Sequence, residues 1–231
     1  MSSFTYEGVT LILGDCMEHM ARMADGAYSL AVVDPPYGIF STGKSQNFDW
    51  KKSGNGGTWE SKYKDQAKRW DIAPGEDYFT GLCRVAKERI IFGANHFGYP
   101  FDNFLVWRKQ TISETFTMAM AELASVSIEG NAKVFEYRPQ DSERFHPTQK
   151  PVSLYRFILQ NYARPGQTIL DTHLGSGSSA IAAWEMGYTF TGIEIDEDYF
   201  NAAVERFRKR IAQPYLPGLV QPAKPRQDVL L

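Results

Sequence analysis

The sequence predicts an open α/β sheet of mostly parallel strands, and three observations carry that prediction. Short apolar runs alternate with amphipathic stretches of helical period along most of the chain. A glycine-rich turn separates one such run from an alanine-rich stretch, and the next apolar run ends on an acidic residue. At 231 residues, 43% hydrophobic and 23% charged, the chain can bury a large core as one domain without disulfides or metals. The folded body is expected over residues 1–212. The tail, 213–231, holds four prolines and is expected to be loosely held.

Composition removes several classes of function. No run of eighteen apolar residues exists, so no membrane partner is expected. The start of the chain (Met1, Ser2, Ser3, Phe4, Thr5) lacks the basic and apolar regions of a secretory leader. Cys16 and Cys83 have no paired spacing, which implies free thiols and a cytoplasmic setting. The four histidines are scattered and no metal site is expected. The net charge of −2 argues weakly against a nucleic-acid partner, but distribution matters more than the sum.

The elements follow in order. Thr10–Leu13 reads as a strand stopped by Gly14-Asp15, and Leu30–Val33 as one stopped by Asp34-Pro35-Pro36. Residues 38–69 show no apolar period and are too long for a passive connection. Pro74–Lys87 carries Phe79, Leu82, Val85 and Ala86 on one helical face. Arg89–Phe92 and Phe104–Trp107 read as strands, and Thr115–Arg138 as strand pieces. Pro151 opens a helix reaching about Ala163 before Arg164-Pro165-Gly166. Thr168–Leu170 is a strand ending at Asp171. A glycine loop follows it, then a helix to Gly187 and a strand over Thr189–Ile195. Asp196 caps a last helix whose apolar stripe is Phe200, Ala203, Val204, Phe207 and Ile211.

Two motifs carry chemistry. Gly175-Ser176-Gly177-Ser178-Ser179-Ala180 is a G-x-G-x-x-A turn between strand and helix, with Glu194 lying 19 residues after Gly175. Such glycines let a nucleotide-like ligand approach the backbone, and the acid can hold ribose hydroxyls. That pattern suits a nicotinamide dehydrogenase as well as a methyl-transferring enzyme. Asp34-Pro35-Pro36-Tyr37 is more specific. A carboxylate at a strand end, proline carbonyls without competing amide donors and a following ring make a slot for a planar group bearing an NH2.

These motifs resemble those of the beta group of DNA amino-methyltransferases, in which the catalytic strand precedes the cofactor loop. The similarity spans about Leu11 to Arg210 and implies a Rossmann-like fold binding S-adenosyl-L-methionine. The chain order is a cyclic rearrangement of the usual methyltransferase sheet, so the last helix should lead back to the strand near Thr10. By this resemblance Asp34, Pro35, Pro36 and Tyr37 are catalytic. Gly14-Asp15-Cys16 resembles the opening motif whose acid meets the cofactor's adenine. Gly93-Ala94-Asn95-His96-Phe97 resembles an active-site strand end. His146-Pro147-Thr148-Gln149-Lys150-Pro151 matches a family signature, which places Thr148 and Lys150 near the methionine end of the cofactor. Asp171, His173, Gly175, Ser176, Gly177 and Glu194 complete the expected cofactor set. One departure stands out: Asp171-Thr172-His173 replaces the usual Asp-Pro-Phe.

The resemblance further implies transfer to the exocyclic 6-amino group of an adenine flipped out of DNA, because an aspartate in the motif favours adenine. Transfer to the cytosine 4-amino group stays open, as does methylation of RNA or of a protein glutamine. A silent nucleic-acid-binding relative of the fold also stays open, as do a homodimer and a restriction-system, phage or solitary setting. Only eight residues, Arg138–Phe145, are left for a separate recognition domain before the His-Pro-Thr signature. The substitute is the insert 38–69. Its Lys44, Lys51, Lys52, Lys62, Lys64, Lys68 and Arg69 would grip phosphates, and Phe48, Trp50, Trp59 and Tyr63 would stack or wedge at bases.

Overall fold

In the computed structural model, residues 2–38, 71–99, 103–112, 119–138, 145 and 148–213 are described. The run expected as a strand at Leu30–Val33 forms β3 (Tyr28–Val33), and its unbroken apolar character has a simple cause. Leu30 and Val32 enter one core and Ala31 and Val33 the other, so both faces of this central strand are covered. On either side lie β4 (Ala86–Phe92) and β8 (Thr168–Asp171), both parallel to it.

The nine-stranded sheet has the order β1-β2-β9-β8-β3-β4-β6-β5-β7. Strands β2 (Val9–Leu13), β9 (Thr189–Glu194), β8, β3 and β4 all run the same way. Their carboxyl ends therefore lie along one edge, which gathers Asp15, Glu194, Asp171, Asp34 and Gly93. Strand β6 (Ala121–Val126) runs against β4, so its first residues come to that same edge. Strand β5 (Asn103–Lys109) runs against β6 and ends there too, and β7 (Lys133–Tyr137) lies parallel to β5 at the margin.

Helices cover both faces. One core takes up α4 (Val152–Tyr162), α5 (Ser178–Glu185) and α6 (Glu197–Ala212). In α5 every residue from Ser178 to Trp184 is buried, and its alanines let the neighbouring helices approach closely. The opposite core takes up α1 (Cys16–Arg22) and α2 (Glu76–Val85) through Met20, Tyr78, Leu82 and Val85. Asp196 caps α6 as expected, accepting from the Tyr199 amide at 3.0 Å. Acids in the first turn and Lys209 and Arg210 in the last also suit the helix dipole.

The expected cyclic chain order is present. Strand β2 pairs in parallel with β9, Leu13 opposite Glu194, so the last helix returns to a neighbour of the strand it left. The first strand, β1 (Ser3–Tyr6), pairs antiparallel with β2 and sets Phe4 edge-on to Phe207 of α6 at 6.0 Å. One boundary differs from expectation. The helix expected to reach Lys87 ends at Val85, and Ala86 is already extended (φ −123°, ψ 130°) and paired with Tyr28. Ala86 is buried either way, so periodicity alone did not mark the change. The tail beyond Gln213 lies outside the described residues.

Candidate active site

Asp34 follows the last residue of β3, where the parallel sheet can no longer satisfy it. Its carboxylate takes the Tyr37 hydroxyl on Oδ1 at 2.7 Å and the Lys150 ammonium on Oδ2. The Lys150 side chain is almost fully buried, and its Nζ also lies 3.1 Å from Glu122 Oε2 and 4.6 Å from the centre of the Phe92 ring. Burial raises Asp34 and lowers Lys150. The neighbouring carboxylates overcome that effect on the lysine, whose pKa ends above its ordinary value. Burial alone would also raise Glu122, yet Lys150 and Lys109 together pull its carboxyl down to about 2.

Tyr37 is held as tightly as the carboxylate. One face stacks on His96 with ring centres 5.0 Å apart, and its edge lies directly over Gly93. Gly93 has φ +68° and opens α3 (Ala94–Phe97), so the Gly93–Phe97 motif does reach the Asp34 motif. The Tyr37 hydroxyl therefore occupies an oxygen of Asp34 that the slot reading assigns to a target amine.

The glycine loop and its acid sit at the ends of β8 and β9. Asp171 is buried and internally satisfied. It takes the Ser179 hydroxyl at 2.6 Å and the His173 amide at 3.0 Å, while burial lifts its carboxyl to about 7. Glu194 accepts the amides of Gly175 at 2.7 Å and Asp196 at 3.0 Å, which ties the glycine loop to β9. Gly175 and Gly177 have φ of +51° and +73°. A β-carbon on Gly177 would stand 3.3 Å from Ala203 Cβ, so glycine also lets α6 approach the loop. Ser176 is buried, and Arg206 of α6 binds its carbonyl at 2.9 Å and the Ser178 hydroxyl at 2.8 Å.

At the Thr172-His173 departure, the Thr172 hydroxyl bridges Tyr78 Oη at 2.7 Å and His173 Nδ1 at 3.0 Å. The imidazole packs edge-on to Tyr78, and burial lowers it to about 4, so it is neutral at pH 7. Asp15 caps α1 by accepting from the Met17 amide at 2.8 Å. Cys16 opens that helix, and burial pushes its thiol up to about 12, far from a nucleophile. Thr148 is exposed, while Gln149 and Lys150 are buried.

The sequence reading named neither Glu122 nor Lys109, which lies 2.7 Å from Glu122 Oε1. It also passed over Arg206, Tyr78 and Asp71, whose carboxylate takes the Gly38 amide at 2.8 Å. Spacing gives no signal for these, because segments distant in sequence bring them in. Lys44, Lys51, Lys52, Lys62, Lys64, Lys68 and Arg69 lie outside the described residues, as do His146 and Pro147. Among the described residues no cluster of histidine, cysteine and acid could hold a metal, and no helix is long and apolar enough to cross a membrane.

A family described as DNA methylase, of the N6 and N4 type, matches residues 125–205, from β6 through the glycine loop into α6. Over that stretch the chain is similar to the N6/N4 DNA methylases. Over 253 aligned positions it is 25% identical to the DNA adenine methyltransferase YhdJ of Escherichia coli (strain K12), covering 88% of this chain and 84% of that one. The chain shares its fold with TTHA0409 of Thermus thermophilus, described as a DNA modification methylase and solved with S-adenosyl-L-methionine. The TM-score is 0.54 at 19% identity, over 88% of this chain and 96% of the other. It also shares its fold with the cytosine-N4-specific PvuII DNA methyltransferase, with a TM-score of 0.55 at 12% identity over 92% and 88% of the two chains. The Rossmann-like arrangement of this chain is thus the one expected from its motifs.

Proposed function

We propose that this protein transfers a methyl group from S-adenosyl-L-methionine to the exocyclic 6-amino group of an adenine flipped out of DNA. The observation that carries the reading is the Asp34 carboxylate, paired with Lys150 and the Tyr37 hydroxyl at the strand end beside the glycine loop. The cofactor brings a cationic sulfonium, and the sheet edge suits a cation. Asp15, Asp34, Glu122 and Glu194 stand there against Lys150, Lys109 and a neutral His173, with Asp171 titrating at about 7. Glu194 and the Gly175–Gly177 loop would hold the ribose and backbone-facing side, with Asp15 and Cys16 toward the adenine and Thr148 toward the methionine end. When bound, the cofactor supplies an electrophilic methyl group.

The protein does the remaining work. The target amine is a weak nucleophile because its lone pair is shared with the ring. Asp34 Oδ1 and the Pro35 carbonyl accept its two hydrogens, which favours a tetrahedral nitrogen and offsets the positive charge that develops. For this the Tyr37 hydroxyl leaves Oδ1, and the ring is then free to stack on the base. The proton shed by the nitrogen passes to Asp34 and then to water. Holding the amine in line can contribute about 7–11 kcal/mol. Extruding the base costs a few kcal/mol, and stacking returns about 1–3 kcal/mol of it.

The aspartate in the motif and the adenine-methylating relative support adenine over cytosine. Incubation with labelled cofactor and DNA, followed by nucleoside analysis, tests this directly. The reading expects N6-methyladenine; N4-methylcytosine would overturn the choice of base, and label in neither would overturn the reaction. In the same assay Asp34→Ala should abolish transfer while leaving affinity for the cofactor product within a few-fold.

A further inference from the structure

Four charged side chains alternate in sign away from the proposed target slot: Asp34, Lys150, Glu122 and Lys109. Glu122 divides its carboxylate, with Oε2 3.1 Å from Lys150 Nζ and Oε1 2.7 Å from Lys109 Nζ. The two lysine side chains are 2% and 7% exposed and those of Asp34 and Glu122 14% and 21%, so none is a solvated surface pair. Asp34 alone could neutralise Lys150. The fold nevertheless brings a second carboxylate from β6 and a second ammonium from β5, held beside the Trp107 ring at 5.2 Å. A buried ammonium is costly unless paired, and a carboxylate engaged with a substrate is a weaker partner.

We propose that Glu122 is a positioning residue for methyl transfer, holding the Lys150 ammonium against Asp34 with Lys109 as its rear counter-ion. Lys150 then stays in place and charged while Asp34 turns one oxygen to the target amine. The proposal rests on the DNA-methyltransferase reading of Asp34. Glu122 and Lys109 lie outside the expected motifs and outside residues 125–205 that match the family.

The groups around Lys150 set the pH dependence. Asp34 and the Tyr37 hydroxyl face it from the end of β3, Glu122 from β6 and Lys109 behind Glu122 from β5. Tyr155 of α4 and Asp171 of β8 act electrostatically on the same cluster. Burial favours the neutral amine, so losing the Glu122 charge makes Lys150 give up its proton at lower pH. The alkaline limb of activity then moves to lower pH. The acid limb, which Asp34 sets, moves the same way, because the Glu122 charge is one of the influences that raise the Asp34 carboxyl.

The test is Glu122→Gln in the full chain, with two readouts. The first is kcat against pH on DNA, with KM and affinity for the cofactor product measured alongside. The second is an NMR titration of 13C-labelled lysines in the protein alone. The expected result is an alkaline limb lowered by about one pH unit or more, an equal shift of the Lys150 resonance, and KM and product affinity within about twofold. Glu122→Asp should restore the wild-type limb. If Glu122→Gln folds poorly, Lys109→Met with Glu122→Met replaces the rear pair by apolar side chains of similar volume, and its limb should still be lowered. A Lys150 that titrates alike in wild type and variant overturns the proposal. If the wild type transfers no methyl to DNA, the functional reading falls, and the titration of the protein alone still decides the role of Glu122.

Discussion

Gly93 and Tyr37 interlock: a β-carbon at position 93 would stand 2.1 Å from Cε1 of Tyr37. The Asp34 motif and the following strand end are therefore one constructed unit, with the ring laid over a residue that has no side chain. Gly93→Ala would displace the ring and strain a backbone at φ +68°. Misplacing a group by about 1 Å can cost about a hundredfold in rate. Methylation should fall by that order, while calorimetry with the cofactor product shows little change. Full turnover in Gly93→Ala would mean that Tyr37 does not need its present seat.

Glu194→Ala should weaken the cofactor product by roughly 1.5–3 kcal/mol, the usual value of hydrogen bonds to a charged group. The same change takes the acceptor from the Gly175 and Asp196 amides, so the melting temperature should drop too. Glu194→Gln, which keeps an acceptor oxygen, separates these effects by recovering part of the stability and little of the affinity. Unchanged affinity in both variants would remove Glu194 from the cofactor site.

His173 gives a pH test with a definite sign. Its folded pKa, about 4, lies below the ordinary value of 6.5, so the unfolded chain binds the extra proton. The wild type thus loses stability from this group as pH falls from 6.5 toward 4. His173→Phe has no such loss and should gain on the wild type over that window by on the order of 2–3 kcal/mol. Denaturant titrations at pH 7 and pH 4.5 measure it. A stability difference that stays constant between the two pH values would show that the imidazole is not held neutral.

The insert should decide DNA binding. Replacing residues 39–69 with a short Gly-Ser linker should remove DNA methylation and spare cofactor binding. Lys51→Ala with Lys52→Ala should weaken binding to all sequences and flatten its dependence on salt. If the shortened enzyme methylated DNA with the same site preference, recognition would lie elsewhere in the chain or across a dimer.

The strands that carry the candidate site were legible because each ends in chemistry written locally: Asp34 after Leu30–Val33, Asp171 before the glycine turn, Glu194 after the next apolar run. Strand β1 was not, since its residues alternate between exposed and half-buried at an antiparallel margin and form no apolar run. Helix α1 was not assigned either, because it is short and buries only Met20. Lys150 was legible as a functional residue through its motif, but its bonding to Asp34 and Glu122 was not. That contact depends on β6 running against its neighbours, which periodicity does not encode. The glutamate in Ala121–Val126 looks like an ordinary surface residue until Lys109 and Lys150 close on it from two other segments.

The Gly38 amide bonds Asp71 at 2.8 Å, and a β-carbon on Gly38 would lie 3.0 Å from Ala73 Cβ. Gly38 and Asp71 are thus hydrogen-bonded neighbours one residue beyond Tyr37, although 33 positions separate them in sequence. Where the two ends of a segment are pinned together, a change in its length costs closure entropy, and each doubling costs only about 0.6 kcal/mol. That is less than one buried methylene group, about 0.8 kcal/mol. On the proposed function, what lies between Gly38 and Asp71 could therefore be exchanged, long for short or one sequence for another, while Asp34 and Lys150 stayed where they are. If that insert reads DNA, target choice is free to drift on a timescale of its own, apart from the slower clock of the chemistry.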